Sequence, residues 1–217
     1  MKKYFSIKIA GPAGYGALSA GKLLGQALTN LNFQVISYPQ YPSQIRGGDN
    51  ASQITFSSHL LPVPEEKSDI LIAFSSLSLE KHQPLLKETA LVIIDQNIKT
   101  SVKNVIKVPF TQIALDLTGK ELVRNTVSLG YIFGLLDFPI EILEKQLKKN
   151  FQGKGSKIAG QNIEAARQGY QIASRSGRQK KLKVTASSSE NKFSSGNKAN
   201  AQGIIDAQCD YAAIYPM

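Results

Sequence analysis

Two periods of hydrophobic positions alternate along residues 5–173, and together they predict a succession of strands and helices. Residues 5–10 alternate as a strand does, whereas residues 69–74 form a continuous apolar run, which is typical of a strand covered on both faces. Four further strands are predicted, at residues 34–37, 52–56, 90–95 and 105–108.

Apolar residues with helical spacing occupy the segments between these strands. Residues 17–30 predict a helix that packs on a sheet, and further helices are predicted at residues 77–88, 121–136, 140–151 and 156–174. In the helix at 121–136, Gly130 and Gly134 lie four residues apart and would let a neighbouring backbone approach closely. The alternation predicts an α/β fold, a three-layer Rossmann-like domain with a mostly parallel or mixed sheet.

The C-terminal part of the chain has a different composition. The net charge of +10 is concentrated in residues 174–198, where serines and basic residues are frequent and apolar residues are few. Such a segment cannot bury enough apolar surface to fold alone, so we expect a solvated linker at residues 174–195. A helical pattern at residues 199–207 and a strand-like run at residues 211–215 follow, and they predict a short helix–strand remnant.

The cysteine and histidine content excludes several kinds of site. One cysteine among 217 residues cannot form a disulfide within the chain or ligate an iron–sulfur cluster. The two histidines, His59 and His82, lie in no metal-ligand motif, so no metal site is predicted. No apolar stretch reaches the roughly 20 residues of a membrane span. We therefore expect a cytoplasmic protein that makes no membrane contact.

The segment GPAGYG, Gly11–Gly16, connects the first predicted strand to the first helix. Backbone N–H groups in such a turn can hold a phosphate, which makes Gly11, Gly14 and Gly16 candidate binding residues. The spacing is Gly-x-x-Gly-x-Gly, however, and no acidic residue ends the second strand, so a nicotinamide dinucleotide site is not indicated. A tight turn that packs the helix on the sheet is the favoured interpretation.

A second unusual segment is YPQYPSQIRGGDN, residues 38–50. Its two Tyr-Pro pairs favour extended backbone, and Gly47 and Gly48 permit a sharp turn beside Arg46. The arginine could bind a carboxylate or phosphate of a ligand, or it could form a salt bridge within the domain or to a partner chain. Tyr41, Arg46, Gly47 and Gly48 are therefore candidate site residues.

These motifs carry a resemblance to a known family. The order IAGPAGYG, AGKLLGQAL and YPQYPSQIRGGDNASQITFS resembles the gamma domain of the 2-oxoacid:ferredoxin oxidoreductases, as do RNTVSLGYIFGLL and FQGKGSKIAGQNIEAARQGY further on. The resemblance is to the type in which gamma is fused ahead of an alpha module, as in 2-oxoglutarate:ferredoxin oxidoreductase. Two residues depart from the pattern, Tyr15, where glutamine is often found, and Asp49, where histidine is frequent.

The resemblance implies three parts of the chain. Residues 1–173 would be the gamma domain, residues 174–195 the linker, and residues 196–217 the start of a truncated alpha, or pyrimidine-binding, domain. The family oxidatively decarboxylates a 2-oxoacid to acyl-CoA with thiamine diphosphate, Mg, iron–sulfur clusters, coenzyme A and ferredoxin.

Alpha and beta modules on other chains would hold the thiamine diphosphate and the clusters. The resemblance therefore implies no catalytic residue in this chain and no activity of the chain alone. Its role would be architectural, with a contact to coenzyme A or to another subunit through the glycine loop, the Arg46 segment and Asn125.

Two alternatives remain at the level of sequence. One is a stand-alone nucleotide- or phosphate-binding module that uses the glycine loop and Arg46. The other is a basic, nucleic-acid-associated protein that uses the serine-rich segment. Because a glycine-rich helix face and an apolar C-terminal strand need covering, we expect an oligomer or a partner chain. We expect no nucleic-acid partner.

Overall fold

The chain forms a six-stranded mixed sheet with helices on both faces. The structure is a computed structural model that describes residues 4–42, 47–59, 63–180, 182 and 192–213. The strand order is β2-β3-β1-β4-β5-β6. The strands are β1 (Tyr4–Pro12), β2 (Gln34–Gln40), β3 (Asp49–Ser57), β4 (Ser68–Ala73), β5 (Leu86–Asp95) and β6 (Val105–Val108).

Strand direction changes at the centre of the sheet. β1 runs parallel to β4, and β4, β5 and β6 continue in parallel, whereas β3 is antiparallel to both β1 and β2. The register places Pro12, at the end of β1, opposite Asp49, at the start of β3. The prediction of a Rossmann-like α/β fold with a mixed sheet is confirmed.

The helices in the described residues number seven. They are α1 (Ala17–Asn30), α2 (Ser76–His82), α3 (Phe110–Thr118), α4 (Arg124–Leu135), α5 (Ile140–Phe151), α6 (Ser156–Arg175) and α7 (Gly196–Asp206). Helices α1 and α3–α6 bury apolar side chains in one large cluster with one face of the sheet. Helix α2 buries Leu79 in a smaller cluster on the opposite face. The three layers are therefore unequal in thickness.

Three local predictions need correction. The helix expected at 77–88 ends at His82, because Pro84 cannot continue it, and a 3₁₀ turn then leads into β5. Helix α3 was not predicted, although Phe110, Ile113 and Ala114 have helical spacing and are buried. Residues 211–213 form no strand and Tyr211 is 84% exposed, while the rest of that predicted strand lies outside the described residues.

The residues that follow α6 fold back onto the domain. The amide of Lys180 donates to the carbonyl of Leu135 at 2.7 Å, and Leu182 packs against the large core cluster. Farther on, the ring of Phe193 lies so close to α1 that a Cβ added at Gly25 would come within 2.7 Å of it. Parts of the basic segment are thus in contact with the folded domain.

Helices α4 and α6 cross with their backbones almost touching. A Cβ added at Gly130 would lie 1.8 Å from the carbonyl oxygen of Ala166, and one added at Gly169 would lie 2.0 Å from that of Val127. A backbone carbonyl cannot move aside as a flexible side chain can, so both positions require glycine. The close approach expected from Gly130 is confirmed, and its partner surface is α6.

This contact yields a stability prediction. Gly169→Ala should lower the free energy of unfolding by about 3 kcal/mol or more, because the added methyl group must push α4 and α6 apart. The control is Gly160→Ala on the same helix, where the added Cβ meets nothing within 4 Å. That control should raise the stability by up to about 1 kcal/mol through helix propensity. Urea unfolding of the two variants measures both effects, and equal midpoints would contradict the proposed contact.

Candidate functional site

A crevice is expected where the helices that follow neighbouring parallel strands lie on opposite faces of a sheet. In this chain β1 and β4 are parallel neighbours, and α1 and α2, which lie on opposite faces, are the first helices after them. The glycine loop, Gly11–Gly16, lies at this position. The antiparallel pairing of β1 with β3 brings Gly48, next to the first residue of β3, to the same edge, where its carbonyl accepts a 2.9 Å hydrogen bond from the amide of Ala13.

The glycine loop has the conformation that its glycines allow. Gly14 and Gly16 have φ angles of 91° and 81°, in the left-handed region that side chains other than glycine rarely adopt. Gly11 lies against the ring of Phe74, and a Cβ there would be 3.0 Å from it. The predicted tight turn between strand and helix is confirmed at these residues.

Gly16 also borders a cavity of about 470 Å³. A Cβ at Gly16 would lie 2.1 Å from Nδ2 of Asn125, so the absence of a side chain lets Asn125 approach the start of α1. Thr126 and Asn162 line the same cavity, and the hydroxyl of Thr126 donates to Oδ1 of Asn162 at 2.8 Å. The structure thus brings together two predicted site residues, Gly16 and Asn125, that are far apart in sequence.

The charged side chains that line this cavity are all positive. Lys22, Lys120 and Lys154 are among the described residues that line it, and none of those residues is acidic. The first N–H groups of α1 lie beside Gly16 and lack intrahelical partners, as at the start of any helix. The arrangement suits an anionic, hydrogen-bonding ligand such as a phosphate ester.

Arg124, the first residue of α4, contacts the glycine loop through Tyr15. Its guanidinium is buried, donates from Nε to the carbonyl of Glu121 at 2.9 Å, and also pairs with the Glu121 carboxylate. The same guanidinium stacks 4.3 Å from the ring centroid of Tyr15. Because Tyr15 is part of the loop, this cation–π contact ties the loop to the start of α4. The sequence alone did not identify this role for Arg124.

The second candidate segment is described only in part. Arg46 lies outside the described residues, and Gly47 and Gly48 have φ angles of 78° and 81°. Tyr41, which is 71% exposed, borders a separate cavity of about 230 Å³ on the α2 side, together with Asp49, Lys81 and His82. Of the predicted residues that the structure describes, Gly16 and Asn125 therefore border one cavity and Tyr41 borders another.

Asp49 is the centre of a buried polar cluster on the α2 side. It is 5% exposed, its Oδ2 lies 2.7 Å from Nε2 of His82, and its Oδ1 accepts from the hydroxyl of Ser78. Lys81 lies 3.7 Å from the same carboxylate. Although burial opposes ionisation, the bonds from His82 and Ser78 and the charge of Lys81 hold the pKa of Asp49 below its usual value.

Lys8 contributes a further charge to this side of the sheet. It lies in β1, is fully buried, and its Nζ has no hydrogen-bond partner among the described residues. Burial, with the positive charge of Lys81 nearby, lowers the pKa of the Lys8 amine. The alternating pattern of β1 places Lys8 on the face of the strand opposite to Ile7 and Ile9. The pattern does not indicate that this face is covered.

Comparison with known proteins decides the family. Residues 6–172, more than half of the chain, match the family model "Pyruvate ferredoxin/flavodoxin oxidoreductase". The chain belongs to this family. The resemblance seen in the sequence motifs is thereby confirmed.

Curated relatives in the family are named as oxidoreductase subunits. The chain is 28% identical over 176 residues to 2-oxoglutarate synthase subunit KorC of Methanocaldococcus jannaschii, with 77% of this chain and 92% of the relative covered. It is 27% identical over 183 residues to pyruvate synthase subunit PorC of Thermotoga maritima, with 78% and 95% covered. These relatives offer no support for the two alternatives, a nucleotide module or a nucleic-acid-associated protein.

Solved structures of the same enzymes share the fold. A 2-oxoglutarate:ferredoxin oxidoreductase from Magnetococcus marinus, solved with 2-oxoglutarate, coenzyme A and succinyl-CoA bound, superposes with a TM-score of 0.82 at 24% identity. The match covers 94% of this chain but only 37% of that one, so the chain spans about a third of its length. The oxidoreductase gamma subunit from Geobacter sulfurreducens gives a TM-score of 0.69 at 22% identity, covering 78% and 96%.

Neither a metal-binding cluster nor a membrane-spanning helix occurs in the described residues. They contain no group of three or more His, Cys, Asp or Glu side chains placed to hold a metal ion. No helix among them is both long and apolar enough to cross a membrane. The cytoplasmic location expected from the sequence stays a prediction.

The buried carboxylate of Asp49 predicts a dependence of stability on pH. Because its pKa is lower in the folded chain than in the unfolded chain, the ionised group stabilises the fold above the unfolded pKa of about 3.9, and this contribution is lost as the pH falls through the folded pKa. Asp49→Asn should therefore cost about 2 kcal/mol at pH 7 and progressively less below about pH 4.

Urea unfolding between pH 7 and pH 3 measures this difference. The control is Asp210→Asn, which removes the same charge from an exposed residue. The control should follow the wild-type curve. A gap between Asp49→Asn and wild type that stays constant down to pH 3 would contradict the assignment.

Proposed function

We propose that the chain is the gamma component of a 2-oxoacid:ferredoxin oxidoreductase, in which it packs against alpha and beta modules. The complex would decarboxylate a 2-oxoacid oxidatively, pass the acyl group to coenzyme A and pass electrons through iron–sulfur clusters to ferredoxin. The observation that carries the proposal is the family match over residues 6–172, which spans the described sheet and helices α1–α5.

We also propose that the cavity beside Gly16 contacts coenzyme A. Three lysines and the start of α1 suit its phosphates, and the amide of Asn125 suits its polar groups. Coenzyme A, when bound, supplies the thiol that accepts the acyl group. Lys22, Lys120 and Lys154 would hold its charged part, and Gly16, at the end of the glycine loop, would lie beside it.

Thiamine diphosphate and the clusters would belong to the other modules. The sequence contains one cysteine, Cys209, which is exposed on the C-terminal segment, so this chain does not fit an iron–sulfur cluster. The described lining of the cavity beside Gly16 contains no cysteine, histidine, aspartate or glutamate. The chain would therefore shape the enzyme and contact the acyl acceptor, without supplying a catalytic residue.

We further propose that residues 196–217 are the start of an alpha module. Helix α7 forms within this segment, and its described residues bury no side chain in the domain. The superposition on the Magnetococcus marinus enzyme covers 94% of the chain, against 78% for the separate gamma subunit from Geobacter sulfurreducens. The larger share supports a likeness that extends beyond the gamma domain.

The contact with coenzyme A predicts a kinetic effect of lysine substitution. In the assembled enzyme, the triple variant Lys22→Gln, Lys120→Gln, Lys154→Gln should raise the KM for coenzyme A about tenfold, because three charge-assisted contacts weaken. The kcat should change little, since no catalytic residue is touched. The matched control replaces Lys145, Lys148 and Lys149 with glutamine; these residues are exposed on α5 and line none of the cavities described above. Equal KM values for the two triple variants would contradict the contact.

The assignment to a subunit predicts inactivity of the isolated chain. The purified chain, supplied with thiamine diphosphate, coenzyme A and pyruvate or 2-oxoglutarate, should not reduce a viologen dye. Addition of the cognate alpha and beta modules should give reduction that depends on both the 2-oxoacid and coenzyme A. Turnover by the rigorously purified chain alone, or no effect of the chain on the alpha and beta modules, would overturn the proposal.

A further inference from the structure

The Gly47–Gly48 turn has little packing of its own. A Cβ added at Gly47 would meet nothing within 4 Å, and both glycines are exposed in the left-handed conformation. Backbone of this kind, with few buried contacts, opens easily unless its ends are held. The position of the turn therefore depends on the residues that flank it.

Asp49 holds one end of the turn from the far side of the sheet. Its carboxylate is bonded to Ser78 and His82, which lie one helical turn apart on the buried face of α2. Asp49 also pairs with Pro12 at the end of β1, and Gly48 accepts the hydrogen bond from Ala13 in the glycine loop. One residue thus connects α2, the Gly47–Gly48 turn and the glycine loop.

We infer that Asp49, Ser78 and His82 form a positioning network, in which α2 on one face of the sheet sets the position of the Gly47–Gly48 turn. Through the hydrogen bond from Ala13 to Gly48, this turn positions the glycine loop, whose last residue, Gly16, borders the cavity. The inference rests on the proposed function only where it concerns the binding of coenzyme A. The mechanical part concerns the chain alone. None of the three residues contacts the cavity beside Gly16, so they act through the turn.

The charges around the network favour an ionised Asp49. Lys81 on α2 lies 3.7 Å from the carboxylate and lowers its pKa, and the negative charge of Asp49 partly offsets the lowering of the pKa of Lys8 on β1. Nδ1 of His82 is buried without a hydrogen-bond partner among the described residues, so the imidazole is held chiefly through Nε2. Loss of the Asp49 carboxylate would therefore remove the partner of His82 Nε2, while the Ser78 hydroxyl would keep its contact with Ser75.

Hydrogen exchange on the full chain tests the mechanical part. Asp49→Asn should speed exchange of the Ala13 amide and of the amides at residues 47–49 about tenfold, equivalent to about 1.4 kcal/mol of easier local opening. The milder Ser78→Ala should have a smaller effect at the same amides. His82→Gln, which keeps an N–H donor, should approach wild type, whereas His82→Leu should resemble Asp49→Asn.

The matched control is Asp69→Asn. Asp69 is buried on the same sheet, and its carboxylate accepts from the amide of Ser6 at 3.0 Å and pairs with Lys87 at 2.9 Å, near the start of β1 instead of its end. Its loss should leave exchange at Ala13 and residues 47–49 unchanged relative to the rest of the sheet. If both variants speed exchange uniformly, or if His82→Gln and His82→Leu behave alike, the network has no positioning role.

The consequence for the ligand is tested in the assembled enzyme. His82→Leu should raise the KM for coenzyme A several-fold while kcat stays within twofold, and His82→Gln should restore the KM. A KM unaffected by His82→Leu, in an enzyme that responds to coenzyme A, would overturn the link between network and ligand. An assembled enzyme whose wild type shows no response to coenzyme A would instead overturn the proposed function, and the exchange result would stand separately.

Discussion

The change of strand direction at β1 is the constraint on which the rest of this structure depends. β1 pairs in parallel with β4 on one side and antiparallel with β3 on the other, so the end of β1 meets both the start of β3 and the crevice between α1 and α2. The glycine loop and the Gly47–Gly48 turn become neighbours only through this pairing. The buried Asp49 cluster and the contact of Ala13 with Gly48 both follow from it, and Gly16, at the end of the glycine loop, borders the candidate cavity.

A close contact between two helices provides the other half of the site. Because Gly130 and Gly169 let α4 and α6 meet backbone to backbone, the start of α4 places Asn125 beside Gly16 and Thr126 beside Asn162 of α6. The polar floor of the cavity therefore belongs to the helical layer, and the glycine loop belongs to the sheet. The binding of a ligand between them would depend on the relative position of the two layers. Such a dependence suits a component that packs inside a larger enzyme.

The sequence predicted features that depend on neighbouring residues better than contacts between residues that are distant in sequence. Local features such as α1, β6 and the glycine turn were read correctly, because periodicity and glycine spacing act within a few residues. Helix α3 was missed because it is short and begins after Pro109 without a side-chain cap. The pairing of Asp49 with His82 joins residues that are distant in sequence through the sheet topology, and no local pattern signals it. Lys8 lies at a polar position of the alternating pattern of β1, and its full burial could be seen only in the fold.

Purification of the chain from its native host under anaerobic conditions tests most directly whether it is a subunit of a 2-oxoacid:ferredoxin oxidoreductase. A tag on the chain should retrieve a stable complex containing larger subunits, with iron, acid-labile sulfide and thiamine diphosphate in stoichiometric amounts by metal analysis and mass spectrometry. Every one of those cofactors should separate from the chain when the complex is dissociated. Recovery of the chain as a monomer without these subunits or cofactors, across a range of mild conditions, would show that it is not a subunit of such an enzyme.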